Sequence, residues 1–227
     1  MNKELEGRYN EMWKNARSQF RNGTCSIDKS IDAKSDLRRG MTLLAKPNQA
    51  VKNSISTFQS ELKKVEPLQY YQPLEDLHLT VLSIISCYAG FELAQINSED
   101  YLHLASECIY EPMEIRLQGI TASSAGILVQ GFPDGDSLES LRNKLRETFK
   151  SSSLQHSIDS RYSINTAHLT VMRFRTPIAD SGRFVRLLEE FRNLSFGRMR
   201  IDQLHLVFND WYQRSEIVKN LATFDLS

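Results

Sequence analysis

The sequence predicts an α+β protein of two pseudo-symmetric lobes, each an antiparallel or mixed sheet with helices outside, facing each other across a central cleft. Three observations carry this. The order strand, helix, strand, helix, strand runs twice through residues 38–227. The same tetrapeptide, HLTV, stands at 78–81 and again at 168–171, at equivalent places in that order. No Pro/Gly linker separates the halves, and each alone is small, so they share one core rather than folding as two beads.

Taken in order, residues 3–21 place Leu5, Tyr9, Met12, Trp13, Ala16 and Phe20 at spacings of three or four, an amphipathic helix whose apolar stripe packs on the protein's own core. The polar stretch 22–37 leads from it into the body, dividing the chain into an N-terminal helical extension with its linker (1–37) and a bilobal domain (38–227). In the body, 40–47 (GMTLLAKP) and 126–133 (GILVQGFP) are strand-like runs opened by Gly and closed by Pro, where a ladder stops. A helical pattern follows each: Val51, Ile55, Phe58 and Leu62 in the first, Leu138, Leu141, Leu145 and Phe149 in the second. Asn48 and either Asp134 or Asp136 are the expected N-caps. The HLTV strands come next, then helices around 98–108 and 178–193. Each half then reaches a strand opening on Met-x-Ile, at Met113 and Ile115 and at Met199 and Ile201. A last strand over 217–226 closes the chain.

Composition narrows the function classes. With 227 residues, 41% hydrophobic and 25% charged, the chain can bury a full core without a disulfide or metal staple. Lys plus Arg equals Asp plus Glu at 28 each, which argues against life on long duplex nucleic acid but leaves room for a small nucleotide or an RNA end. Segment 161–200 holds eight Arg against three acids, and 91–150 ten acids against five bases; both read first as solvated faces, the basic one also as a candidate neighbour of a phosphate site. Three cysteines, Cys25, Cys87 and Cys108, predict reduced thiols and a cytoplasmic setting. No signal peptide or membrane span is expected, and the chain is expected to be a monomer.

The doubled tetrapeptide bears the chemistry. Five His and ten Thr in 227 positions give by chance roughly 0.2 His-x-Thr pairs, and two occur. Strand alternation puts His78 and Thr80 on one face, about 6.6 Å apart, and His168 and Thr170 likewise, with Leu79, Val81, Leu169 and Val171 turned to the core. Pseudo-symmetry aims both pairs into one cleft. In-line displacement at a phosphodiester needs a base on the attacking oxygen and an acid on the departing one. Two imidazoles with ordinary pKa near 6.5 divide those roles at neutral pH and give a bell-shaped pH profile. Threonine hydroxyls donate to the non-bridging oxygens.

The paired motifs His78-Leu79-Thr80-Val81 and His168-Leu169-Thr170-Val171 resemble the doubled H-x-T-hydrophobic signature of the two-histidine (2H) phosphoesterases, over residues 38–227. The resemblance implies a bilobal fold and a metal-independent enzyme without cofactors that opens a 2′,3′-cyclic phosphate or cleaves a 2′–5′ linkage of a nucleotide or RNA end. It places His78, Thr80, His168 and Thr170 at the catalytic and phosphate-holding positions. The chain departs from the pattern at Ser83, where many relatives carry a base-stacking aromatic five residues after the first His. Arg173 matches the H-x-T-x-x-R pattern after the second, but strict alternation turns it away from His168 unless the strand twists or bulges. Arg175 is a weaker candidate. The alternative function is a non-catalytic nucleotide- or phosphate-binding module on the same scaffold.

His205, in an LHLV context without the Thr, His103 and His156 read as structural. No metal-ligand spacing, P-loop or dinucleotide fingerprint appears, and Cys87 and Cys108 lack a base arrangement. Tyr70 and Tyr71 read as core or rim residues.

Overall fold

A computed structural model describes residues 2–109, 111–161 and 163–227. The N-terminal amphipathic pattern forms helix α1 (Asn2–Asn22), which lies along β4 (Met113–Ser123) and β5 (Gly126–Pro133). Ala16 and Phe20 join the main core, while Leu5 and Tyr9 pack with Phe132 in a small satellite cluster.

From the first half come β1 (Arg38–Ala45), α2 (Gln49–Val65), the short β2 (Tyr70–Tyr71), β3 (Leu79–Ala89), α3 (Ser98–Ser106) and β4. The second half gives β5, α4 (Ser137–Ser151), β6 (Ala167–Arg173), α5 (Ser181–Glu190), β7 (Ser195–Ile201), β8 (Gln203–Asp210) and β9 (Lys219–Asp225). Asn48 caps α2 through its side chain, accepting from the Val51 N–H at 3.0 Å. The expected cap on α4 differs: Asp136 takes the N-cap position without a side-chain bond, and the Asp134 carboxylate is drawn instead to Arg198 at 2.7 Å. The helices α3 and α5 are shorter than the patterns around them.

All strand pairings are antiparallel, in one curled sheet of order β7-β4-β5-β6-β3-β1-β8-β9, with β2 beside β6. Its centre is the junction of β6 and β3, where the register holds a single pair, Leu79 to Leu169. About that centre the order is symmetric: β6 answers β3, β5 answers β1, β4 answers β8 and β7 answers β9. This corrects one sequence inference. The two Met-x-Ile segments are not equivalent strands of the two halves; they are neighbours, Met113 opposite Ile201 and Ile115 opposite Met199, and the second ends β7 rather than opening it. Each half thus lends its last strands to the other half's sheet, and buried residues of both halves join one core.

Candidate functional site

Where β3 and β6 meet, both ladders slip by one residue at the same place. Against β1, Leu82 faces Leu43 but Thr80 faces Leu44, so Val81 is an extra residue. Against β5, Met172 faces Ile127 but Thr170 faces Leu128, so Val171 is its counterpart. Each bulge restarts the alternation. His78, Thr80 and then Ser83 look into the cleft from one strand, and His168, Thr170 and then Arg173 from the other. The bulge that strict alternation lacked is present, and it turns Arg173 to the side of His168.

At each bulge a side chain from a helix of the opposite half bonds the carbonyl of the extra residue, and Val171 O also accepts from the Gln72 N–H at 3.1 Å. Gln59 of α2 donates through Nε2 to Val171 O at 2.9 Å and to Gln72 O at 2.8 Å. Arg142 of α4 donates through Nε to Val81 O at 3.0 Å and through Nη2 to Thr80 O and Thr166 O, both at 2.9 Å. Arg142 is only 2% exposed, and burial pulls its guanidinium down to about 10. The two motif strands are therefore clamped from behind, crosswise. Sequence reasoning missed both braces, although Arg142 stood inside an apolar stripe (Leu138, Leu145, Phe149) where a charge is out of place.

The histidines differ in what holds them. His78 donates Nδ1–H to the carbonyl of Asp76 at 2.8 Å, and a carbonyl only accepts, so its neutral ring carries the lone pair on Nε2. His168 Nδ1 meets the hydroxyl of Thr166 at 2.8 Å, a partner that serves either tautomer. Both rings face the cleft only in part, and the packing around them lowers each to about 4. Desolvation is the main cause; Arg173 and Lys46 add to it at His78, and Arg142, His78 and Arg173 at His168. The expectation of ordinary imidazole pKa values is thus corrected: both rings are neutral at pH 7 when nothing anionic lies between them.

The rest of the cleft includes Thr42, Arg161, Asn209, Trp211 and Gln213. Arg161 donates to Cys87 O at 2.9 Å and lies 5.5 Å from the Trp211 ring. Of the basic segment, then, Arg161 and Arg173 reach the site, while Arg198 pairs with Glu114 and Asp134 and Arg175 with Asp32. His205 binds Thr223 Oγ1 on an outer strand, His103 pairs with Glu107 on a helix surface, and neither lines the cleft. Tyr71 donates to Glu66 O, and Tyr70 packs on the buried Tyr212. Cys25, Cys87 and Cys108 are free thiols, and burial pushes Cys87, the one that lines the cleft, up to about 12. Among the described residues, no group of three His, Cys, Asp or Glu side chains is arranged to hold a metal ion. No described helix is long and apolar enough to cross a membrane.

This architecture, two half-sheets joined at a central pair of strands, is shared by solved structures that include a phosphoesterase. The chain superposes on TT0787 of Thermus thermophilus with TM-score 0.59 and 16% identity, over 82% of this chain and 97% of that one. It matches Escherichia coli LigT complexed with 3′-AMP with TM-score 0.58 and 13% identity, over 84% of this chain and 99% of that one. A third structure, described as a phosphoesterase, gives TM-score 0.59 at 12% identity, over 84% and 99%. No protein-family model matches the chain, and no curated protein matches its sequence.

Proposed function

We propose that this chain is a two-histidine phosphoesterase that opens a 2′,3′-cyclic phosphate or a 2′–5′ phosphodiester of a nucleotide or RNA end without a metal ion. The observation that carries the reading is that His78, Thr80, His168 and Thr170 line one cleft from two adjoining strands, with the bulge at Val171 adding Arg173 to the same side. A structural duplication has no need to direct four polar side chains and a guanidinium into the same solvent-accessible cleft.

In this reading His78 is the base, a role that suits a ring whose Nδ1–H is held by Asp76 O. Its Nε2 lone pair takes a proton from water as the water oxygen attacks phosphorus, and Asp76 O stabilises the imidazolium that forms. A diester anion between the rings favours the charged form of His168, whose Nε2–H goes to the departing ribose oxygen as its bond to phosphorus breaks. Thr80 and Thr170 donate to the non-bridging oxygens, and Arg173 offsets the charge that grows on them. The product is a ribose phosphate monoester with one free hydroxyl. The ribose requirement follows from the 2′-oxygen of such esters. The substrate is a small nucleotide or RNA terminus, the enzyme a monomer, and its reduced thiols fit the cytoplasm.

The test is a panel of 2′,3′-cyclic nucleotides, 2′–5′-linked dinucleotides and short RNA ends, assayed with excess chelator. Turnover is expected, and His78→Ala and His168→Ala each lower kcat by about 10²–10⁴ while the variants stay folded. Tight binding without turnover by the wild type supports the non-catalytic module instead, and wild-type rates in either variant overturn the histidine roles.

A further inference from the structure

The departure at Ser83 leaves the expected stacking position with a hydroxyl, so a nucleotide in this cleft needs another contact for its base. The segment after β8 offers one. Trp211 and Gln213 of this segment line the cleft, and the segment is held in place: Gln72 Nε2 donates to Tyr212 O at 2.9 Å, and Asp210 Oδ1 accepts from the N–H of Tyr212 and of Arg214 at 3.2 and 2.9 Å. The Ser215 N–H reaches Asp76 Oδ1 at 3.0 Å, on the residue whose carbonyl orients His78. The segment is thereby fixed relative to the reacting centre.

Within it Gln213 takes φ 59, a left-handed conformation that costs a residue with a Cβ, and it lines the cleft. Gln213 is 7% exposed, and its Oε1 has no hydrogen-bond partner among the described residues. Asn209, 2% exposed and lining the same cleft, commits its Nδ2 to Asp210 O at 2.8 Å and to Cys87 Sγ at 3.4 Å, while its Oδ1 is likewise unpartnered. Two buried acceptor oxygens, on two residues that line one cleft, call for donors that a small shift of either side chain would let a ligand supply. A phosphate oxygen is an acceptor and cannot supply one. The N–H groups on the edges of nucleobases can.

We propose that Gln213, with Asn209, reads the nucleobase of the substrate, a role that rests on the nucleotide reading above. Trp211, from the same segment, presents a flat ring in the cleft beside Arg161. A ligand that lacks the base leaves the two oxygens unpaired, which makes the contact discriminating.

The test measures binding, so that it stands apart from turnover. Nucleoside 3′-monophosphates and an abasic ribose 3-phosphate are titrated calorimetrically into wild type, Gln213→Asn and Gln213→Gly. Asn tolerates the left-handed backbone but is one methylene shorter, and Gly removes the amide while relaxing the backbone, so both variants are expected to fold. The wild type is expected to bind base-bearing ligands at least ~10-fold more tightly than the abasic one, and both variants to lose about that factor with abasic binding unchanged. An unchanged base-to-abasic ratio in both variants, or no base preference in the wild type, overturns the proposal. Absence of turnover with the base preference intact counts against the catalytic reading and not against this one.

Discussion

The hydroxyl of Tyr9 occupies an unusual place in the ladder. Gly131 of β5 and Ala167 of β6 face each other, and the Tyr9 oxygen stands between them, 3.1 Å from Gly131 O, 2.9 Å from Ala167 O, 3.0 Å from Ala167 N and 3.4 Å from Gly131 N. The ring is fully buried and meets Phe132 edge-on at 5.5 Å, and burial pushes the phenol far above its ordinary range. Tyr9→Phe removes that one oxygen and keeps the ring. The hydroxyl accepts from both N–H groups and gives its single proton to one of the two C=O groups, so two N–H groups and one C=O then lose a partner in a dry interior, where an unpaired group costs about 1–3 kcal/mol. Partial closure of the rung recovers some of this, so the variant should lose about 2–4 kcal/mol. For a chain of this length that lowers Tm by roughly 5–15 °C. Urea and thermal unfolding followed by circular dichroism measure it, with Tyr101→Phe as control, since the Tyr101 hydroxyl makes one bond, to Gln155 O near the surface. The rung adjoins the pair Gln130 and His168, so kcat should fall as well. A Tm within about 2 °C of wild type, or a loss no larger than the control's, refutes the idea that α1 locks the base of the second motif strand.

Other outcomes follow from the same geometry. Gly131→Ala drives a methyl into Ala167 O and to 2.9 Å from Ile115 Cγ2, and should destabilise by more than about 3 kcal/mol in urea unfolding; a smaller loss means the strands part more easily than described. Arg142→Met leaves the carbonyls of Thr80, Val81 and Thr166 without their donor and should cost about 3–5 kcal/mol while lowering kcat more than it raises KM; unchanged kcat in a folded variant refutes the bracing role. Because the folded pKa of both histidines lies near 4 and the unfolded one near 6.5, the unfolded chain binds more protons between those values. Stability should therefore rise with pH from 4 to 6.5 and level off above, and His78→Gln should flatten part of that rise; equal slopes in both proteins contradict the lowered value. By the same logic, kcat/KM should peak below pH 6.5 and fall toward pH 8, as the free enzyme loses its protonated acid, and a maximum above 6.5 contradicts it.

Much of this was legible because repetition and period-2 alternation are properties of sequence. HLTV at 78–81 and 168–171 marked the two central strands, and alternation alone set His with Thr and Leu with Val on opposite faces. The bulges were half-legible: VLS at 81–83 and VMR at 171–173 each put two apolar residues in succession, the trace of an inserted residue in an alternating strand. What stayed hidden depends on partners distant in the chain. Tyr9 reads as one more apolar residue of a helical stripe, although its hydroxyl works more than a hundred positions away. The Met-x-Ile pairs misled because recurrence cannot distinguish a copied strand from a facing one. The left-handed backbone of Gln213 belongs to a segment tied to Gln72 and Asp76, far off in the chain, and no local pattern announces it.

The central claim, that His78 and His168 flank one phosphate, is tested most directly by NMR of ¹⁵N-labelled imidazoles during titration with inorganic phosphate and then with a nucleoside 3′-monophosphate. The account predicts that the Nε2 signals of both rings move together, at a common midpoint, as each ring gains protonated character, while His103 and His205 stay still. Movement of one ring without the other, or of neither, contradicts it.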